Sequence, residues 1–200
     1  MRRAAGILSI VLAMTAGAAD GRPGAVIAQN GALTITLPAE LLRSSEVKEQ
    51  LTSGLTTLFV ITITAEDGAG TAKGAARIDV RFALWEEKYL VSTIEATGQE
   101  RQFTFDDDAA LERWWSGNPL TVAAPRKYGP RVDVRVKLKL LPFSSQEQRD
   151  TRRWLARTLA RGTVESNPAQ SADILRMIVE TSIRRRPLLE REWSVRAERP

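Results

Sequence analysis

Residues 131–142 read Arg-Val-Asp-Val-Arg-Val-Lys-Leu-Lys-Leu-Leu-Pro, and this stretch sets the expectation for the whole fold. Valine or leucine occupies every second position from Val132 to Leu140, and charged residues occupy the positions between them. Alternate side chains of a strand point to opposite faces, so the pattern predicts a strand with one face on an apolar core and the other in water. Pro142 ends the strand because proline cannot donate a ladder hydrogen bond. The residues that test this interpretation are Val134 and Val136, expected to be buried, and Arg135 and Lys137, expected to be exposed.

Other segments have the composition of strands, and short turns join most of them. Residues 55–66 are rich in Thr, Ile, Val and Phe, with Phe59 and Ile61 on one face. Leu58 and Val60 lie on the opposite face, so we expect the first half of this strand to be covered on both sides. The other predicted strands are residues 32–37, 75–85, 89–95, 101–105 and 120–123.

Two short helices are predicted between these strands. Ser44 or Ser45 can cap the first, and Gly54 lies just past its end. Three consecutive aspartates, residues 106–108, favour the start of the second, because the positive end of a helix stabilises acids. A calcium site is the alternative for these aspartates, but adjacent acids without the later glycine and glutamate do not form a calcium loop. The second helix is expected to end at Gly117.

Three tryptophans need an assignment. Trp114 and Trp115 point about 100° apart on a helix, so one can enter the core while the other stays partly exposed. Stacking on sugars or contact with a membrane surface is the functional alternative. Trp85 alternates with Leu84 in a predicted strand, so we expect it on the solvent face or under a helix.

The chain after Pro142 is predicted to be helical. Ser144 and Glu147 form a capping box for a helix over residues 145–161. A polar linker follows, and a second helix opens at Ser171 and ends before Pro187, which cannot continue it. The fold class predicted from all segments is α+β, an antiparallel sheet or two-sheet sandwich with interspersed short helices and two C-terminal helices.

The N-terminus has the order of a secretory signal. Met1-Arg2-Arg3 precedes an apolar run that ends in small residues at Ala19. Cleavage is expected after Ala18 or Ala19; an uncleaved anchor is the alternative, although the apolar run is shorter than the roughly 20 residues of a span. The predicted organisation is a signal peptide at 1–19, a flexible leader at 20–31, a sheet domain with a packed helix at 32–161, and a linker with a basic helical appendage at 162–200.

Two absences from the composition exclude several chemistries. The chain has no cysteine, so it has no disulfide and no thiolate nucleophile or metal ligand. It also has no histidine, so Ser-His-Asp catalysis is excluded and a zinc hydrolase is disfavoured. No cofactor and no catalytic or metal-binding residue is predicted.

Charge is distributed unevenly along the chain. Residues 20–125 hold 9 basic and 15 acidic residues, or −6, whereas residues 126–200 hold 18 basic and 9 acidic residues, or +9. Such polarity predicts either that the two halves face each other or that the basic half meets an anionic partner. For an exported protein we expect an envelope protein or an anionic membrane surface rather than nucleic acid.

The basic half contains one ordered feature, which we call the arginine stripe. Its four members recur at intervals of four in the predicted helix over 145–161, so they fall on one side of it. The apolar residues of the helix occupy a different side. The alternative is a solvated face, or one packed on acidic residues of the sheet domain. The stripe consists of Arg149, Arg153, Arg157 and Arg161, and Arg184, Arg185 and Arg186 can extend it.

The order of several elements is similar to that of an uncharacterised family of exported proteobacterial proteins, a domain-of-unknown-function family. The resemblance covers about residues 33–142 and implies an envelope location without an established chemistry. The features that carry it are the signal, Leu51-Thr52-Ser53-Gly54-Leu55, the hairpin from Ala75 to Glu95 with Tyr89-Leu90, the strand-then-helix step from Phe103 to Trp115, and Tyr128 followed by the strand to Leu140-Leu141-Pro142.

The function predicted from these features is a non-enzymatic, exported cell-envelope protein that acts as a binding or assembly module through its basic helical surface. One alternative is a carrier of an apolar ligand held between sheet and helices, which predicts an unfilled apolar cavity. Another is a carboxylate-based hydrolase of an envelope polymer, which predicts two carboxylates in one cleft. A binding module predicts a surface of one sign instead. The oligomeric state is left open.

Overall fold

A computed structural model describes residues 23–68, 70–142 and 186–199. The helices predicted at 145–161 and after Ser171 lie outside these residues, as do the signal peptide and the boundary at 161/162. The strands are β1 Ala25–Ile27, β2 Leu33–Ile35, β3 Thr57–Asp67, β4 Gly70–Ala83, β5 Lys88–Ile94, β6 Glu100–Phe105, β7 Leu120–Ala123, β8 Val132–Pro142 and β9 Leu189–Glu198. The helices are α1 Glu40–Arg43, α2 Ser45–Thr52 and α3 Asp108–Gly117.

All nine strands belong to one curled sheet, in the order β6-β5-β4-β3-β8-β9-β1-β2-β7. Every pairing is antiparallel except that of β1 with β9, which is parallel. The described part of the chain is therefore mainly β with few helices, and the predicted α+β class is wrong. Two C-terminal helices were expected, and the described C-terminal element is a strand instead.

The alternating strand β8 lies at the centre of the sheet, between β3 and β9. Val134 and Val136 are completely buried, Arg135 is exposed, and Lys137 is partly exposed. The predicted facing of this strand is confirmed. The alternation was decisive here because a one-residue slip would exchange the buried and exposed sets.

Strand β9 overturns the prediction of a charged appendage at the C-terminus. Its outward acids lie directly opposite lysines of β8, with Lys137 paired to Glu192 and Lys139 to Glu190 in the register. Lys137 Nζ lies 3.3 Å from both glutamates. Cross-strand pairs of opposite charge stabilise a sheet, so charges that looked like a solvated tail serve strand pairing. The residues turned towards the inner face are Leu189, Arg191, Trp193, Val195 and Ala197.

Strand β1 corrects a second expectation, since it forms within the stretch interpreted as a flexible leader. Its three residues are too few for a periodic signal in the sequence. They are held by β2 on one side and by Ala197 and Glu198 of β9 on the other. Ala25 and Ile27 are buried in the core.

The first half of β3 is covered on both faces, as predicted. Phe59 and Ile61 are fully buried in the main core, and Leu58 and Val60 are 0% and 1% exposed on the opposite face. The second face forms a separate small cluster of Leu58, Val60, Ala75, Ile94 and Leu141.

The sheet curls until its edge strand β7 lies across β4. Gly74 marks the contact: a Cβ placed on it would stand 1.9 Å from the Val122 carbonyl oxygen. The backbone N–H of Ala96, just beyond β5, donates to the Thr121 carbonyl at 3.1 Å. The outer edge of β7 is therefore covered by β4 and by the residues that follow β5.

Helix α3 covers the inner face with its two tryptophans, as predicted. Trp115 is 1% exposed, packs edge-on against Phe59 at 4.8 Å between ring centroids, and donates from Nε1 to the Pro38 carbonyl at 3.1 Å. Trp114 is partly buried and packs against Phe103 at 5.0 Å. Both rings serve the core or its edge, so the sugar-stacking alternative has no support.

Candidate functional site

The predicted contact surface is mostly outside the described residues. All four members of the arginine stripe lie there, as do Arg184 and Arg185, and Arg186 is exposed at the start of the last described segment. The interaction role of these arginines stays a prediction.

One end of the molecule carries an apolar surface that the sequence pattern did not predict as a site. Trp85 is 96% exposed, Leu55 is 63% exposed and Leu84 is 59% exposed. Single exposed apolar residues are ordinary, but a tryptophan left almost wholly in water beside two leucines is not. We call Leu55, Leu84 and Trp85 the tip patch.

Two loops build the tip patch. Residues 84–87 form the turn between β4 and β5, closed by the pairing of Ala83 with Lys88. The second loop follows α2, where Gly54 adopts a positive φ of 73° and lies against Leu84; a Cβ there would be 2.8 Å from Leu84 Cδ1. Glycine is favoured here because its φ lies in the left-handed region, and the exposed Leu84 side chain occupies the space that a Cβ would take.

The turn between β4 and β5 also carries backbone strain. Glu87 has φ = 52°, and it is the positive-φ residue other than glycine within the described chain. A non-glycine residue in this region costs roughly 1–2 kcal/mol. The same four-residue turn therefore holds a residue with an unfavourable φ, Glu87, and a large apolar side chain in water, Trp85. Such local exceptions concentrate at functional sites.

An acidic groove adjoins the tip patch. It has a volume of about 810 Å³ and lies between the β4–β5 turn and the start of α3. Among the described residues, five acids surround this end of the molecule; Lys88 is paired with Asp106 at 3.0 Å, and Lys48 lies in a small adjoining pocket beside Asp108. The acids are Glu86, Glu87, Asp106, Asp107 and Asp108.

The three aspartates have separate structural partners. Asp107 is the N-cap of α3 and accepts a 2.7 Å bond from the Ala110 N–H, which confirms the predicted helix start. Asp108 accepts a 2.5 Å bond from the Tyr89 hydroxyl. Burial, together with that bond, raises the pKa of Tyr89 above its ordinary value. This arrangement anchors α3 to β5. Glu87 and the three aspartates nevertheless line one groove, which is the arrangement that the hydrolase alternative predicts.

Two further carboxylates, both buried, are paired with arginines. Asp67 at the end of β3 receives a 2.7 Å bond from Arg126 Nη2 and a 3.1 Å bond from the Gly129 N–H. Glu95 pairs with Arg101. Both pairs tie a loop or a strand end to the sheet, so these two carboxylates have a structural role.

A second groove lies between β9 and α1. It has a volume of about 360 Å³ and is lined mainly by apolar side chains, among them Leu41, Leu189 and Trp193. The interior of the curled sheet is filled by the main core cluster. The carrier alternative predicts an unfilled apolar cavity, and this shallow groove is the feature of the described residues that comes nearest to it.

Comparisons with protein-family models, with curated proteins and with solved structures gave no match to this chain. The resemblance to the exported family of unknown function is therefore still a prediction. Within the described ranges, no helix is long and apolar enough to cross a bilayer. The same residues contain no group of three or more acidic side chains placed to hold a metal ion.

Proposed function

We propose that this protein is a non-enzymatic, exported cell-envelope module that binds another protein through its tip patch. The observation that carries the proposal is the 96% exposure of Trp85 beside Leu55 and Leu84. Burying a large apolar side chain is worth roughly 1.5–3 kcal/mol, and tryptophan is enriched among the residues that dominate binding energies. A partner that covers all three side chains gains that energy.

The acidic surroundings define the chemistry of the partner. Among the described residues at this end, five acids outnumber the bases Lys48 and Lys88, so the partner surface is an apolar slot with lysines or arginines around it. An anionic membrane fits this end poorly, because its headgroups would be repelled by the same acids. The basic half of the chain is a separate surface, and its predicted contact with an anionic partner does not depend on the tip.

Site-specific photocrosslinking in intact cells tests the proposal. A photoreactive amino acid replaces Trp85 in one variant and Leu188 in a control variant; Leu188 is also exposed, at 49%, but precedes β9, three strands from β4 in the sheet order. We expect a discrete protein adduct from position 85 and none of that mass from position 188. Equal adducts from both positions, or none from position 85, would refute the proposal that the tip patch binds a partner protein.

A second step tests the partner's chemistry. The protein identified in the adduct is purified, and its affinity is measured for the wild type, for Trp85→Ser and for Glu86→Gln/Glu87→Gln. Trp85→Ser should weaken binding at every salt concentration, by about tenfold or more. The double glutamine variant should mainly slow association and reduce its salt dependence. An unchanged salt dependence would contradict the basic character of the partner.

A further inference from the structure

Strand β6 forms an end of the sheet, and within the described residues it is the edge whose outward main-chain groups have no strand partner. Among the described residues it pairs with β5 alone, whereas the other end strand, β7, is covered by β4 and by the loop after β5. Six residues, Glu-Arg-Gln-Phe-Thr-Phe, follow one another without a proline or lysine to protect the edge. The charge of Arg101 is neutralised by Glu95.

The register shows which main-chain groups face outward. The Glu95 N–H donates to the Gln99 carbonyl at 3.0 Å, so this pair is hydrogen-bonded. Hydrogen-bonded and non-bonded pairs alternate along an antiparallel ladder, so Arg101, Phe103 and Phe105 bond to β5. The N–H and C=O groups that point away from the sheet belong to Glu100, Gln102 and Thr104, whose side chains are also exposed.

We propose that β6 pairs with β6 of a second copy of this chain, around a two-fold axis at Gln102. Two copies that share the same edge through a two-fold axis must run antiparallel. In the register centred on Gln102, Glu100 of one copy lies opposite Thr104 of the other, and the two Gln102 residues face each other. All three pairs use the outward main-chain groups, which gives about six hydrogen bonds, two at each pair.

The side chains favour this register over its neighbours. Arg101 of one copy lies opposite Phe103 of the other, a cation and an aromatic ring that already approach each other within one chain at 5.7 Å. A shift that centres the axis on Phe103 would place Glu100 opposite Asp106, and like charges opposite each other destabilise a sheet. The two tip patches then lie at opposite ends of the paired strands, so dimerisation is independent of tip binding.

Single cysteines test the axis directly, because the chain has none of its own. In the proposed register the two copies of residue 102 have Cα atoms about 5.5 Å apart, within reach of a disulfide. The two copies of residue 104 lie four residues apart along the strand, or about 14 Å. Gln102→Cys should therefore cross-link under mild oxidation, and the matched control Thr104→Cys should not.

Sedimentation of the mature protein supplies the second measurement. The wild type should have twice the monomer mass, Gln102→Lys should be a monomer because two lysines would meet on the axis, and Gln102→Ala should stay dimeric. Circular dichroism checks that the variants are folded. A monomeric wild type, a dimeric Gln102→Lys protein, or cross-linking of Thr104→Cys as fast as Gln102→Cys would each overturn the proposal. Trp85→Ser should leave the mass unchanged, which separates this proposal from the proposed function.

Discussion

Replacing Gly74 by alanine tests how the curled sheet closes. The new methyl group would stand 1.9 Å from the Val122 carbonyl oxygen and 2.9 Å from its carbonyl carbon, where an ordinary contact starts at 3.4 Å. Strand β7 would have to retreat by about 1.5 Å, and the obstacle is backbone rather than a side chain that can rotate. Overpacking of this kind costs roughly 1–3 kcal/mol.

Detaching β7 from the sheet would also relieve the clash, at its own cost in free energy. Leu120 and Val122 are 2% and 0% exposed, so detaching β7 would return two apolar side chains to water at roughly 1.5–3 kcal/mol each. The strain and the detachment compete, and the protein takes the cheaper. We therefore expect Gly74→Ala to lower the free energy of unfolding by about 3 kcal/mol.

Urea unfolding measures the effect. With a slope of about 2 kcal/mol/M, the midpoint should fall by about 1.5 M. The matched control is Gly117→Ala at the end of α3, where an added Cβ meets nothing within 4 Å; alanine is the better helix former, so this variant should be neutral or stabilised by up to about 1 kcal/mol. If the two variants unfold at the same urea concentration, the close approach of β7 to β4 is refuted.

Four further predictions follow from single observations. Val136→Asp should cost about 3 kcal/mol or more in thermal unfolding, whereas Lys137→Gln should change the midpoint little; equal losses would contradict the facing of β8. Burial raises the pKa values of both tyrosines, Tyr89 and Tyr128, so a spectrophotometric titration of the native protein should show neither ionising at the ordinary value of 10, and their contribution to stability should persist below pH 10 and be lost as pH rises above it. The mass of the native protein should lack the signal peptide; an intact N-terminal methionine would favour an anchor. Changing all four arginines of the stripe to glutamine should reduce co-sedimentation with anionic liposomes but not with zwitterionic ones, and equal recovery would assign the stripe to a solvated face.

Local pattern was sufficient for the long central strands β3 and β8. The ten alternating residues of β8 predicted their own burial, and the two-sided apolar start of β3 predicted the second cluster around Leu58 and Val60. The aspartates before α3 predicted a helix start because capping depends on groups within one turn. The exclusion of thiol and imidazole chemistry needed nothing beyond composition.

The candidate site was only partly predictable. The sequence pattern predicts Trp85 inside a strand, either on the solvent face or under a helix, because the alternation of residues 75–85 continues through it; in the structure Trp85 is 96% exposed in a turn. The structure ends β4 at Ala83 and turns the chain there. Exposure of Trp85, Leu84 and Leu55 together depends on two loops distant in sequence, so no local pattern could bring them into one patch.

Long-range pairing decided the rest. A charged segment such as β9 has no preference for a strand by itself; it becomes one because its acids meet the lysines of β8 and its other edge pairs with β1. The same pairing converts the predicted meander with an appendage into one nine-stranded sheet. Sequence determined which faces of the central strands are apolar, since side-chain alternation is a property of each strand. Tertiary structure determined which strands are neighbours, where β7 closes on Gly74 and which edge stays open, since these depend on hydrogen bonds and contacts between residues far apart in the chain.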